Sequence, residues 1–386
     1  MNKEKASLYF ALIRYAVLGE PLSEEARKLA EGGGLEWLYS LGKIHDIAHL
    51  LAYSLEENGL LPDSDVAEKF KKERMVAVYR NMRMKGEYER ITGALSSAKI
   101  NFIPLKGSVI RKYYPEAWMR TSCDIDILIK KCDIPDAVRT LSESLGFSAE
   151  AEGTHDVSLF SKSGVHLELH FDLNEPSGKC YSNLKDPWSF ASPIEEGSCL
   201  FVLDDAYLAF YHIAHMAKHF IKGGCGVRPF IDLYLLRDVI DKCRDEYERL
   251  LSEDELLKFA REAEHLSLVW LGGEAHTNIS INMENYVLKG GTYGTTDNKV
   301  VLQSAKKGSR FKYAISRIIL PYNIIRYHYP ILERHRWLTP VMQVRRWFKL
   351  VFCGGIRRSA NELRMSREVS SEQLESAESL LESIGL

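Results

Sequence analysis

Two aspartates, Asp124 and Asp126, stand at alternate positions in the apolar run DIDILI. A third acid, Glu168, stands between two histidines in VHLELHF. In a strand, residues two apart share a face. Asp124 and Asp126 therefore project side by side, with Ile125, Ile127 and Ile129 on the other face. Adjacent carboxylates repel, and each resists ionising beside the other. A divalent cation relieves that repulsion, and magnesium takes one or two carboxylates together with substrate phosphates. A solvated strand face, with Asp124 capping a turn, is the plainer alternative and stays open on spacing alone. In VHLELHF, His166, Glu168 and His170 share one face, and Val165, Leu167 and Leu169 the other. If this strand neighbours the aspartate strand, Glu168 completes a three-carboxylate site, and if not it lies on an exposed edge. Asp156 and Asp172 are the substitutes for Glu168.

Just upstream, FIPLKGSVI reads as a strand running into a helix through Gly107 and Ser108. Glycine lets backbone amides approach a ligand, and a helix start favours an anion. Serine there is also ordinary capping. Phosphate at the helix start and metal at the aspartates would meet over a nucleoside triphosphate. Farther on, His212, His215 and His219 share one helical face, where they either wall a cleft or pack between helices. Asp232 sits inside an apolar helical run, so it needs a partner, with a residue on the histidine helix as one option.

The elements that must position these residues follow from periodicity. Residues 1–98 repeat apolar positions at helical spacing. Residues 99–200 hold the β-prone NFIPL and the strand runs DIDILIK, VSLFSK and VHLELHF, with IPDAVRTLSESLGF as a helix stopped by Gly146. Residues 201–290 return to helices, first DDAYLAFYHIAHMAKHFI, then FIDLYLLRDVIDKC after a glycine-rich break, then residues 253–272. Residues 275–310 are rich in Asn, Gly and Thr and predict loops. Residues 291–358 end in a basic, aromatic helical region, and 359–386 read as a polar tail with a thin stripe of Leu374, Leu380 and Leu381.

Lys106-Gly107-Ser108, Asp124-x-Asp126 and the later strand acid resemble the signature of the DNA polymerase beta-like nucleotidyltransferase superfamily. The stretches IPLKGSVIRKYYPEAWMRTSCDIDILI, VHLELHFDL, the HxxHxxxH helix and RPFIDLYLL are similar to one bacterial branch, the nucleotidyltransferase family 5 group. The likeness covers most of residues 35–350 and is most specific over 103–129. Glu168 departs from the third Asp of many superfamily members. The resemblance implies an α+β fold, a small mixed-sheet core flanked by N- and C-terminal helical regions, the second of which covers substrate. It implies that Asp124, Asp126 and Glu168 are catalytic and hold two Mg2+ ions, with Mn2+ able to substitute. It further implies transfer of a nucleoside monophosphate from a nucleoside triphosphate to an acceptor hydroxyl, with pyrophosphate released. Gly107 and Ser108 would then hold phosphates, Lys106 and Arg120 would contact them, and His170, His215, His219 and Asp232 would complete the nucleotide set. The acceptor favoured is a small molecule or an envelope or natural-product intermediate, with nucleic acid less favoured. A catalytically silent nucleotide-binding scaffold and a γ-phosphoryl transferase are the rival readings.

The bulk numbers set limits. A net charge of −2 over 386 residues gives no global nucleic-acid signature. No run reaches the length of a spanning helix. Seven scattered cysteines without a Cys-x-x-Cys pair favour a reduced, cytoplasmic protein. Charge is uneven, however: in residues 306–358 thirteen Lys and Arg face one acid, Glu333, interleaved with Tyr322, Tyr327, Tyr329, Trp337 and Trp347. That segment either packs its aromatics with its cations in water or contacts RNA, an anionic glycolipid or a membrane surface.

Overall fold

The computed structural model describes residues 3–32, 34–174, 181–292, 294, 298–302, 315, 318–329, 331–352 and 370–386. Five helices lead: α1 (Lys3–Leu18), α2 (Glu24–Glu31), α3 (Leu35–Ile44), α4 (Ala48–Glu57) and the long α5 (Asp65–Ser97). The α/β core follows as β1 (Phe102–Pro104), α6 (Gly107–Ile110), β2 (Asp124–Ile129), α7 (Ile134–Leu145), β3 (Ser148–Glu152), β4 (Asp156–Phe160) and β5 (His166–His170). A small hairpin, β6 (Ala191–Pro193) and β7 (Phe201–Leu203), leads into α8 (Asp205–Ile221), α9 (Arg228–Leu235), α10 (Arg237–Lys242), α11 (Arg244–Glu253), α12 (Leu257–Leu271) and α13 (Asn278–Gly290). The α+β class expected from the sequence is the class observed.

The sheet runs β1-β2-β5-β4-β3, and β2 pairs in parallel with β5 while the other pairs are antiparallel. Its two faces meet different partners. Ile125, Ile127 and Ile129 of β2 join Leu167 and Leu169 of β5, Met84, Ile91 and Leu95 of α5, and Ala137 and Leu141 of α7 in one apolar core. Pro135 opens α7 and Gly146, at φ 71°, closes it in the left-handed conformation that glycine adopts cheaply. The second core is helical. It joins α1 and α4 to α8, α9, α11 and α12, with Phe10 stacked on Trp270 at 4.6 Å. Residues before and after the sheet thus share one core. Leu128 faces that helical layer. Alternation puts Asp124 and Asp126 on the same side of β2 as Leu128.

Several elements differ from expectation. β3, read from SAEAE, lacks the branched and aromatic residues that mark strands and exists by pairing with β4. α11 and the three-residue strands β6 and β7 were likewise not predicted. α13 lies where loops were expected over 275–310. Thr277 and Ser280 form a reciprocal capping box there, and Met283 and Val287 bury one face. The expected polar tail contains a helix, Ser371–Ile384, whose Leu380 and Ile384 reach the helical core. Of the basic segment, Lys306, Lys307, Arg310, Lys312, Arg317, Arg357 and Arg358 lie outside the described residues.

Candidate active site

The register between β2 and β5 builds the site. Asp126 pairs with Glu168, Asp124 with His166 and Leu128 with His170. Parallel neighbours in register point their side chains to the same face, so the three acids converge. Ligand atoms of Asp124, His166 and Glu168 lie within 4.8 Å of one another, and so do those of Asp126, Glu168 and His170. The separate-strand alternative, with Glu168 on an exposed edge, does not hold: β5 has β2 on one side and β4 on the other.

Two cations neutralise part of this charge. Lys106 Nζ lies 2.6 Å from Asp126 Oδ1, and His170 Nε2 lies 2.8 Å from the same oxygen and 3.3 Å from Glu168 Oε2. Burial opposes ionisation of Asp126, but the Lys106 ammonium and the hydrogen bond from His170 outweigh it and hold the carboxyl below its usual range. The His170 hydrogen bond likewise holds Glu168 low against burial. Burial disfavours the His170 imidazolium, yet its bonds to Asp126 and Glu168 raise it. Asp124 moves the other way, since burial and then the charge on Asp126 push its carboxyl up. Lys106 holds its place from a left-handed backbone, φ 45°, an uncommon conformation for a non-glycine residue.

The acids face a cavity of about 860 Å³. Its opposite wall is α8 with its C-cap residue Lys222, the helix presenting Tyr211, His215, Lys218 and His219. His215 and His219 meet at 3.2 Å between Nε2 atoms. Burial, then Lys106 and His219, push the His215 imidazole well below its ordinary value. His212 also lines the cavity, its Nε2 bonded to the Pro229 carbonyl at 2.9 Å. The cavity also holds Cys123, His155, Asp156, Asn174 and Arg228. Of these, sequence reading had singled out only Asp156, which β4 brings beside His170 in register.

Two parts of the site have contacts the sequence does not show, and Gly107, Arg120 and Asp232, which belong to them, line the cavity. The first concerns the helix start at Gly107 and Ser108. α6 is a single turn of four residues, and Ser108 N–H already donates to the Leu105 carbonyl at 3.1 Å. Val109 and Ile110 N–H both donate to the Lys106 carbonyl. So short a helix has little dipole, and Ser108 has no spare amide for phosphate. Gly107 lies close to other groups instead: a Cβ there would come 2.7 Å from Arg120 Nη1 and 3.3 Å from Ser122 Cβ. The second concerns Arg120 and Asp232. Arg120, expected to contact phosphate, lines the cavity while its Nε and Nη2 donate to Asp232 Oδ1 and Oδ2 at 2.8 and 2.7 Å. Tyr114 O–H adds a third bond, 2.8 Å to Oδ1. Both residues are buried, and the Asp232 carboxylate is satisfied by protein donors. Its partner thus lies beside the sheet, where the histidine helix had been an option.

Asp124, Asp126 and Glu168 fit a magnesium site by chemistry. They are oxygen donors on one face of the sheet that line the cavity, and they fall into two overlapping groups that could each hold an ion, Asp124 and Glu168 with His166, and Asp126 and Glu168 with His170.

A family profile described as an uncharacterised nucleotidyltransferase matches residues 33–272. No curated protein and no solved structure matches the chain. The matched span runs from the edge of α3 to the end of α12 and contains every element that lines the acids and the α8 wall.

Proposed function

The chain belongs to the uncharacterised nucleotidyltransferase family, and from that premise we propose that it moves a nucleoside monophosphate from a nucleoside triphosphate to an acceptor hydroxyl. The observation that carries this reading is Glu168 in register with Asp126, on the strand next to the aspartate pair and facing the cavity. Asp124, Asp126 and Glu168 would hold two magnesium ions, with manganese as a substitute. Such ions supply charge neutralisation at the attacking and leaving oxygens and lower the pKa of a hydroxyl. The acceptor oxygen bonds to the α-phosphorus as the bond to the α–β bridging oxygen breaks, and pyrophosphate leaves with that electron pair. Glu168 takes part in activating the hydroxyl. His170 fixes Asp126 and Glu168 relative to each other through its shared Nε2. Lys106, with Lys218 and Lys222 across the cavity, draws the triphosphate by charge, and His215 and His219 form the wall against nucleotide or acceptor. Positioning and fixed charge then supply most of the acceleration.

A cavity of about 860 Å³ suits a nucleotide with a small acceptor. We therefore favour a small molecule or an envelope or natural-product intermediate over nucleic acid. We propose a cytoplasmic site of action, favoured by seven scattered cysteines without a Cys-x-x-Cys pair.

The test is incubation of the full chain with each of the four triphosphates, magnesium or manganese, and a cell extract as acceptor source. Release of pyrophosphate with nucleotide mass added to an acceptor is the expected result. Release of nucleoside diphosphate would replace this reading with γ-phosphoryl transfer. Binding of all four without any turnover would replace it with a silent scaffold.

A further inference from the structure

The helix Thr339–Phe352 is inverted. A helix on a soluble protein turns its apolar stripe inward and its polar residues to water. Here Gln343, 5% exposed, faces inward and exchanges hydrogen bonds with the backbone of Leu320, its Nε2 donating to the carbonyl and its Oε1 accepting from the N–H. Val341, 54% exposed, and Phe348, 59% exposed, face outward with Val344 between them. The spacing 341, 344, 348 is one helical face. Trp337, 74% exposed, lies in the short turn just before the helix. Ile318 and Ile319 are exposed beside it, held there by Arg346 Nη1 and Trp347 Nε1, which both donate to the Ile318 carbonyl. So much contiguous apolar surface in water marks an interaction face.

The charge around the stripe selects the partner. Residues 318–349 carry Arg326, Arg334, Arg336, Arg345, Arg346 and Lys349 against Glu333 alone, in a chain whose net charge is −2. Arg334, Arg336 and Arg345 are exposed at its margins. Pairing with a second copy would set two such cationic faces against each other, which costs free energy unless anions intervene. A bilayer with anionic headgroups satisfies both halves of the surface: an acyl boundary for the aliphatic and aromatic side chains, and phosphates for the arginines. None of the described helices is long and apolar enough to cross a membrane, so the contact is peripheral. The family match ends at residue 272, before this surface begins.

We propose that Trp337, Val341, Val344 and Phe348, rimmed by Arg336 and Arg345, dock this protein onto anionic phospholipid surfaces. The inference stands whether or not the cavity transfers nucleotides. The full chain should sediment with vesicles of phosphatidylcholine and phosphatidylglycerol and not with vesicles of phosphatidylcholine alone. Binding should weaken as sodium chloride is raised, and tryptophan emission should shift to the blue as Trp337 leaves water. Trp337→Ser with Phe348→Ser should weaken vesicle binding by more than about tenfold. Arg336→Gln with Arg345→Gln should weaken it by roughly tenfold and flatten the salt dependence. All four side chains are exposed, so circular dichroism should show an unchanged fold. Equal binding to both vesicle types, no binding to either, or full binding by the Trp337/Phe348 variant would overturn the proposal. A dimer in light scattering that this variant dissolves would assign the face to a second copy. Capture of single-stranded RNA through these residues, with no vesicle binding, would assign it to nucleic acid.

Discussion

Asp126 and Asp232 are both buried carboxylates, 3% and 1% exposed, and both hold cationic partners, yet the two clusters around them are built in opposite ways. Asp232 is closed. It lines the same cavity as Asp126, but both its oxygens are taken by the Arg120 fork and Tyr114 shares one of them. Asp126 is open. Lys106 and His170 converge on a single oxygen, and Asp124 and Glu168 press their own charge against it. A closed pair fixes the framework, because removing one partner strands a buried charge. An open cluster keeps unrelieved repulsion that a bound cation can relieve, so its charge is available to a ligand.

That contrast can be broken by substitution. Asp124→Asn should cut nucleotidyl transfer by about ten-thousandfold, roughly 5 kcal/mol of barrier. It should leave the melting temperature unchanged or slightly higher, because it removes a charge beside Asp126 and Glu168. Pyrophosphate release and thermal melting on one preparation check both halves, and a large loss of stability would place Asp124 in the framework. Asp232→Asn should do the reverse, costing about 3–5 kcal/mol of stability in urea unfolding because Arg120 stays buried without a counter-charge. An Asp232→Asn protein of normal stability that no longer binds nucleotide would move this pair into the site. Gly107→Ala tests the ground between the clusters. Its Cβ would press on Arg120 Nη1, which Asp232 holds in place, and we expect a stability loss of about 1–3 kcal/mol with a fall in activity.

The smallest effect is in pH dependence, where the two carboxylates have opposite signs. Asp232 is buried, but Arg120 holds its carboxyl below the usual range. It therefore stabilises the fold above its unfolded value of about 3.9 and loses that contribution as the solution is acidified through its folded value. Asp124 is raised, so its contribution is present below about 3.9 and is lost as pH rises through its folded value. The melting difference between Asp124→Asn and the parent should thus grow in the variant's favour from about pH 4 upward. The deficit of Asp232→Asn should shrink below about pH 4. Parallel curves for the two variants would deny the contrast.

The two clusters also differ in how legible they were. Asp124, Asp126, Ile125 and Ile127 reveal their strand by period two alone, and VHLELHF does the same for Glu168 and His170. What the pattern left open was adjacency, which the β2–β5 register supplies. Arg120 and Asp232 are 112 residues apart, and nothing local in either segment announces the other. The pairing of these two cavity-lining residues is therefore not legible in the sequence. Gly-Ser after a strand fits the helix start that the structure has at Gly107, and only the backbone reveals that the helix stops after one turn. The Lys218 and Lys222 wall was hidden in a helix whose histidines drew attention first.

Magnesium-dependent triphosphate binding, followed by titration calorimetry in the parent chain and in Glu168→Gln, tests the central claim most directly. The parent should bind only with the metal, and the variant should lose that binding by about tenfold or more while melting normally. Binding of equal strength in the variant, or in the parent without metal, would contradict the convergence of Asp124, Asp126 and Glu168 on a shared cation.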